Sequence, residues 1–126
     1  MNADLDINRV TELVIGCAYR VGKTLGIGFL EKVYENALLV ELRNVGLPAH
    51  QQRPMKVLYR GEVVGDYGAD ILVAESLIVE IKAVQRLDKV HLAQCLNYLK
   101  ALDLRVGLVI NFGAASVEVK RVVNGL

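Results

Sequence analysis

Three ionisable side chains lie within the most apolar part of the sequence, and their types suit metal-assisted hydrolysis. Asp70 belongs to the segment YGADILVA, whereas Glu80 and Lys82 belong to LIVEIKAV, and both segments are rich in Ile, Val and Leu. The Glu and Ser of the intervening tripeptide AES predict a turn, so the two segments are expected to form a β-hairpin. Alternation along the second strand puts Glu80 and Lys82 on one face. We expect Asp70 to lie beside them across the hairpin.

Burial of these charges must be compensated, and three compensations are open. Two carboxylates and an ammonium cost several kcal/mol of desolvation when they are buried unpaired. Lys82 could bridge Asp70 and Glu80 as a structural ion triad. Alternatively, the two carboxylates and the backbone carbonyl of Ile81 could bind Mg²⁺ or Mn²⁺, with water or a substrate phosphate completing an octahedron. Acid–base chemistry without a metal is the third alternative, and no histidine accompanies the acids to support it.

The composition predicts one compact domain without a strong net charge. The chain has 126 residues, of which 53% are hydrophobic, enough for a single core. Its formal net charge of +1 means that any nucleic-acid binding must come from a local patch. Cys17 and Cys95 lack metal-ligand spacing and are expected to be buried thiols of a reduced, intracellular protein. Because neither a signal peptide nor a membrane-spanning run is recognised, we expect a cytoplasmic location.

Helical periodicity at the N-terminus predicts two helices. The first covers residues 6–25, with Asp4 or Asp6 as its N-cap. Two glycines then interrupt the pattern, and a second helix follows over residues 29–45. Considered alone, Glu31 would favour the dipole of this helix and Tyr34 would pack with its hydroxyl in water. The apolar residues expected to be buried on the second helix are Leu30, Val33, Ala37, Leu38 and Leu42.

Extended patterns and a third helix make up the rest of the chain. Residues 55–59 and 62–66 flank a turn, and the second run could continue into the strand at 67–74 with a bulge at Gly65 or Gly68. With residues 77–84 they form a three-stranded antiparallel meander. A helix over residues 88–101 brings Gln94 and Tyr98 onto one face. The run at 105–111 predicts a strand covered on both faces, and 116–123 a half-exposed strand.

This order of elements resembles the PD-(D/E)XK nuclease-like superfamily. Glu80-Ile81-Lys82 looks like its signature, with Asp70 on the preceding strand, and Gln94 and Tyr98 look like the Gln-x-x-x-Tyr element of the RecB-like branch. The heptad GFLEKVY at residues 28–34 is similar to that of the small bacterial and archaeal GxxExxY proteins. The likeness continues through YGADILV, LIVEIKAV, AQCLNYLKA and VGLVINFG. Gly68 departs from the pattern, because relatives are expected to carry Arg there, and this puts a phosphate contact at that point in doubt.

The resemblance implies a fold and an activity. The fold would be a restriction-endonuclease-like α/β domain over residues 1–126, of order αα-βββ-α-ββ, with a mixed central sheet flanked by helices. The activity would be hydrolysis of phosphodiester bonds in nucleic acid, DNA rather than RNA, with Mg²⁺ or Mn²⁺ as cofactor. Asp70, Glu80 and the Ile81 carbonyl would bind the metal, Glu31 would reach it through water, and Lys82 would orient or help deprotonate the attacking water.

The resemblance also implies a set of substrate-binding residues around this centre. Gln94 and Tyr98 would line the far side of the cleft, and Tyr34 would bind or support the substrate. Arg86 and Lys89 would contact phosphates together with Lys82 and His91. Since this positive patch is weak, a second copy of the chain or a partner protein could supply additional surface. Two other functions stay open: a catalytically silent binding or scaffold module that acts through protein partners, and a phosphoesterase that acts on small molecules.

Overall fold

A five-stranded mixed sheet organises the computed structural model, which describes residues 6–125. The strands follow one another in the order β1-β2-β3-β4-β5; β3 and β4 are parallel, and the other neighbours are antiparallel. This arrangement confirms the predicted α/β class and the order αα-βββ-α-ββ. The elements are α1 (Ile7–Leu25), α2 (Glu31–Asn44), β1 (Ala49–Tyr59), β2 (Glu62–Val73), β3 (Leu77–Lys82), α3 (Lys89–Leu102), β4 (Val106–Asn111) and β5 (Glu118–Val123).

Helices cover both faces of the sheet. Helices α1 and α2 pack on one face, where Val14 and Leu38 join Ile81 of β3 in the larger core cluster. Helix α3 packs on the other face, where Cys95 and Leu99 contact the apolar side chains of β3 and β4. Strand β4 is therefore buried along its whole length, as its continuous apolar run predicts.

Both cysteines are buried free thiols, which confirms their predicted structural role. Burial raises the pKa of Cys95 to about 12, so this thiol stays protonated near neutral pH and is a poor nucleophile. Burial also raises the pKa of Cys17.

The N-terminal helices begin close to their predicted positions. The Asp6 side chain accepts a hydrogen bond from the Asn8 N–H at 3.0 Å and caps α1. The alternative cap, Asp4, lies outside the described residues. No described helix has the length and apolarity needed to cross a membrane.

Two residues that were expected in the core of α2 are exposed. Leu30 is 82% exposed and Val33 is 40% exposed, so these two predictions are wrong. The reason is that Leu30 is the N-cap and precedes the helix, while the buried face of α2 is set by Tyr34, Leu38 and Leu42. Hydrophobic spacing alone does not fix how far a helix is rotated about its axis.

The three-stranded meander is confirmed, with a longer first strand than predicted. Strand β1 starts at Ala49, which pairs with Val73, rather than at residue 55. Its polar start is tolerated because β1 is an edge strand with solvent on one side. The register shifts between Val57 and Leu58, opposite Gly65, where a bulge was expected.

The pairing of β2 with β3 stops at the point where the acidic residues begin. The last antiparallel pair is Ile71 with Val79, and Asp70 and Glu80 follow it on the two strands. Strand β3 continues to pair with β4 as far as Lys82. The gap between β2 and β3 therefore exposes backbone groups of the two strands to the neighbouring side chains.

Candidate active site

Asp70 and Glu80 hold the diverging strands together through their side chains. The Asp70 N–H donates to Oε2 of Glu80 at 2.8 Å, and the Ile81 N–H donates to Oδ2 of Asp70 at 2.7 Å. Each carboxylate thus replaces a backbone acceptor that the ladder no longer supplies. These bonds use Oδ2 of Asp70 and Oε2 of Glu80, and the side chain of Gln52 also hydrogen-bonds the Asp70 carboxyl.

The environment of both carboxylates opposes their ionisation. Burial and, to a lesser degree, the nearby Asp70 carboxylate raise the pKa of Glu80 to about 8. Burial also raises the pKa of Asp70, although the hydrogen bond from Ile81 partly offsets this effect. Two acids that repel each other in a desolvated position form a site that a bound cation would stabilise.

Lys82 lies on the same side of β3 as Glu80, but it does not bridge the acids. Its Nζ donates to Oε1 of Gln94 on α3 at 2.8 Å. Within residues 6–125, Lys82 forms no ion pair with either Asp70 or Glu80, which contradicts the structural ion triad. Its positive charge nevertheless lowers the pKa of both carboxyls. Lys82 is therefore near enough to act on the acids and is oriented by α3.

Tyr98 completes the α3 side of the cleft, one helical turn after Gln94. Burial raises the pKa of its hydroxyl, and the negative charges of Glu80 and Asp70 raise it further, so the phenol stays protonated. Its ring lies 6.2 Å from the ring of Tyr67 on β2. The four residues Glu80, Lys82, Gln94 and Tyr98 thus surround one space between the sheet and α3.

On α2, the acid next to the site is Glu35 rather than Glu31. Glu31 is exposed in the first turn, and its side chain forms no ion pair within the described part of the chain. Glu35 is 3% exposed, and its negative charge raises the pKa of both Asp70 and Glu80. We missed Glu35 in the sequence, although it follows Glu31 by four residues and so lies on the same helical face, one turn nearer the sheet.

Polar side chains hold Glu35 in place. Lys32 Nζ lies 3.1 Å from Oε2 of Glu35, and Gln51 Nε2 donates to the same oxygen at 2.8 Å. Gln52 Nε2 donates to Oε2 at 3.2 Å. A Cβ at position 68 would come within 2.7 Å of Oε1 of Gln52, so Gly68 leaves room for this side chain. The departure from the family pattern at Gly68 therefore has a structural counterpart in Gln52.

Tyr34 does not line the cleft, and its hydroxyl is not in water. The residue is fully buried, and its ring stacks on Phe112 at a centroid distance of 4.8 Å. Its hydroxyl donates to the Gly26 carbonyl at 2.6 Å and accepts from the Phe29 N–H at 3.2 Å. The surface interpretation is therefore wrong, because Tyr34 is buried and anchors the loop between α1 and α2.

The positively charged residues expected to contact phosphates lie beyond the end of β3. Arg86 is exposed in the loop that follows β3, and Lys89 is exposed at the first residue of α3. His91 is engaged in the cap of α3, where its Nδ1 accepts from the Asp88 N–H at 2.9 Å. Arg86 and Lys89 remain candidates for phosphate contacts.

Comparison with known proteins identifies the class. The model of the PD-(D/E)XK nuclease superfamily matches residues 8–122, so the chain belongs to this superfamily. Among solved structures, the chain is similar to that entitled "Crystal structure of SSO0001", with 19% sequence identity and a TM-score of 0.59. The match covers 94% of this chain and 59% of the other, so this chain spans less than two thirds of that protein. No curated protein matches the chain.

The superfamily implies a divalent cation, and the residues between β2 and β3 fit one. Within residues 6–125, no group of three or more His, Cys, Asp and Glu side chains is arranged to hold a metal ion. Mg²⁺, however, is commonly held by one or two carboxylates together with water and substrate phosphates. Asp70 and Glu80 offer two carboxylates whose pKa values are raised by burial. This donor set suits a hard cation that is completed by its substrate.

Proposed function

We propose that this protein is a metal-dependent nuclease that hydrolyses phosphodiester bonds of DNA. Superfamily membership supports nuclease activity. The observation that carries the chemistry is the pair of carboxylates at the end of the β2–β3 ladder, whose pKa values are both raised by burial and which each accept a backbone N–H from the opposite strand. Such a pair gains most from a divalent cation and a phosphate.

Each residue of the cleft has a proposed role. Asp70, Glu80 and the Ile81 carbonyl would hold Mg²⁺ or Mn²⁺, and Glu35 would contribute through a water, in place of Glu31. When bound, the cation would lower the pKa of a water and offset the negative charge that develops on the phosphate. Lys82, oriented by Gln94, would position the attacking water and take part in its deprotonation.

The test is cleavage of plasmid, single-stranded DNA and RNA with Mn²⁺ or Mg²⁺, measured on gels with the protein and its variants. Asp70→Ala and Lys82→Ala are expected to lower the rate at least about 100-fold, since each removes a group that acts at the reacting phosphate. Lys120→Ala, an exposed change on β5, is the control and should keep full activity. Cleavage that both variants retain, or absence of cleavage, would favour the binding or scaffold module instead.

Several finer assignments belong to the same proposal. The heptad at residues 28–34 supports membership of the GxxExxY proteins, and Gln94 with Tyr98 supports the RecB-like branch. One sheet with helices on both faces supports a single domain over residues 1–126. We also propose a cytoplasmic location, and a second copy of the chain or a protein partner that adds phosphate-binding surface.

A further inference from the structure

A groove lies along the outer half of the β1–β2 hairpin, facing α3. We call residues 55–68 the hairpin arm, because they extend past the last residue pair that joins β2 to β3. The groove lies between this arm and α3 and has a volume of about 320 Å³. This is the size of a small-molecule site. Gln94 belongs both to the groove and to the Lys82 contact, so the groove opens next to the proposed catalytic residues.

The walls of the groove combine aromatic and apolar surface with free amides. Tyr67 is 51% exposed, and its ring is tilted by 35° from that of Tyr98. Met55 and Val57 continue the apolar wall along the arm. Because Oε1 of Gln94 accepts from Lys82, its NH₂ group remains as a donor.

Among residues 6–125, no charged side chain lines the groove. Lys56, on the same arm, forms an ion pair with Asp66 at 3.1 Å. A surface that followed a duplex by its phosphates would need a row of free Lys or Arg residues. Stacking of a base on an aromatic ring does not need such charge, because every base has a π face. In a duplex these faces are covered by neighbouring bases.

We propose that this groove binds an unpaired nucleobase, which stacks on Tyr67 and is hydrogen-bonded by the amides of Gln94 and Asn97. The phosphodiester next to that base would then lie at Asp70 and Glu80. The substrate class is single-stranded nucleic acid or a frayed end, rather than an intact duplex. This inference rests on the proposed function for the position of the phosphate, but the binding of the base does not depend on catalysis.

The test uses a fluorescent probe in the full-length chain. Since the sequence has no tryptophan, Tyr67→Trp introduces a single indole at the groove and keeps an aromatic face. In EDTA, so that no cleavage occurs, oligo(dT), oligo(rU) and a duplex of equal length are titrated against it. The proposal is supported if either single strand quenches the fluorescence at a concentration at least about five-fold lower than the concentration of duplex needed for the same quenching. Equal affinity for the duplex, or no quenching by any strand, overturns it.

Alanine substitution distinguishes stacking on Tyr67 from nonspecific binding. Tyr67→Ala is expected to weaken binding of labelled oligonucleotides at least about five-fold by fluorescence anisotropy, whereas Tyr67→Phe retains affinity. The matched control is Tyr59→Ala at the tip of the arm, where Tyr59 is 64% exposed outside the groove. Equal effects of Tyr67→Ala and Tyr59→Ala overturn the proposal. So does a dimer in sedimentation that Tyr67→Ala dissociates, because the groove would then serve a second copy of the chain.

The two proposals fail in different ways. A protein that binds single strands through Tyr67 but does not cleave them with Mn²⁺ supports the groove and refutes the nuclease. A protein that cleaves, but binds duplex and single strand equally, supports the nuclease and refutes the groove.

Discussion

At the scale of single residues, Glu80 has the most unfavourable surroundings for a charged side chain. Its carboxyl is 4% exposed and has a pKa of about 8, against an ordinary value of 4.5. The folded protein thus binds this proton more tightly than the unfolded chain does. The contribution of Glu80 to stability is full below about pH 4.5 and is lost as the pH rises towards 8.

This shift predicts a pH dependence that one substitution removes. Between pH 6 and pH 9, in EDTA, the free energy of unfolding should fall by a few kcal/mol, measured by urea titration. Glu80→Gln, which can still accept from the Asp70 N–H, should flatten most of that decline and be the more stable protein at pH 9. The control is Glu62→Gln, an exposed change on β2, which should keep the decline. If the free energy of unfolding of Glu80→Gln declined with pH as steeply as that of Glu62→Gln, ionisation of the Glu80 carboxyl in the folded protein would cost little free energy.

Glu35 and Glu31 form a matched pair one helical turn apart, one buried and one exposed. If Glu35 acts on the cation through water, Glu35→Gln should weaken Mn²⁺ binding about 10-fold in calorimetry, the effect typical of groups that act through a ligand. Glu31→Gln should change it less than about two-fold, because this side chain is in water. If the two variants lost Mn²⁺ affinity equally, Glu31 would also act on the bound cation.

At the scale of secondary structure, the heptad at residues 28–34 is explained by the loop that it builds. Gly28 has a φ of 114°, which disfavours any residue with a side chain. Glu31 begins α2 near the positive end of its dipole, and Tyr34 anchors the preceding loop through Gly26 and Phe29. These contacts fix the start of α2 and thereby the position of Glu35 one turn later.

The helices and strands could be predicted from the sequence more accurately than the rotation of each helix about its axis. Alternation along LIVEIK predicted that Glu80 and Lys82 share one face of the strand, because a strand has a period of two residues; in the structure Lys82 contacts α3. The period of a helix leaves its phase open by tens of degrees, which is why Val33 was expected inside and Glu35 was overlooked. The early start of β1 was missed because the residues HQQRP have the composition of a loop, while edge strands accept polar residues.

A buried asparagine fixes the loop between β3 and α3. Asn111 is fully buried; its Oδ1 accepts from Val84 N at 2.9 Å, and its Nδ2 donates to the Val84 carbonyl at 2.9 Å. Oδ1 also accepts from Gly113 N at 2.9 Å, and Nδ2 also donates to Oε1 of Glu118 at 2.8 Å. The loop that carries Arg86 is thus tied to the end of β4.

Loss of this side chain should loosen the loop and destabilise the fold. Asn111→Ala leaves buried backbone groups without partners, so we expect a loss of roughly 2–4 kcal/mol in urea unfolding. Faster hydrogen exchange at residues 83–88 should accompany it. Asn44→Ala, at the exposed end of α2, is the control and should change stability by less than about 0.5 kcal/mol. Unchanged exchange in the loop would show that other contacts hold it.

At the scale of the whole molecule, the charge distribution limits how nucleic acid can be bound. The formal net charge is +1, and the candidate phosphate contacts are Lys82, Arg86 and Lys89. The groove along the hairpin arm adds aromatic surface without adding charge. Most of the binding free energy should therefore come from stacking and the site itself rather than from release of counterions.

The dependence of affinity on salt measures this balance. With three phosphate contacts to a single strand, log K against log[NaCl] should have a slope of about −2, since each contact contributes about −0.7. The slope is obtained from anisotropy of a labelled oligonucleotide between about 50 and 300 mM NaCl in EDTA. Lys89→Ala should make it shallower by about 0.7, whereas Lys23→Ala, at the end of α1 across the sheet from α3, should leave it unchanged. A slope steeper than about −4 would require more phosphate contacts than Lys82, Arg86 and Lys89 supply, and would favour a second copy or a partner that adds positive surface.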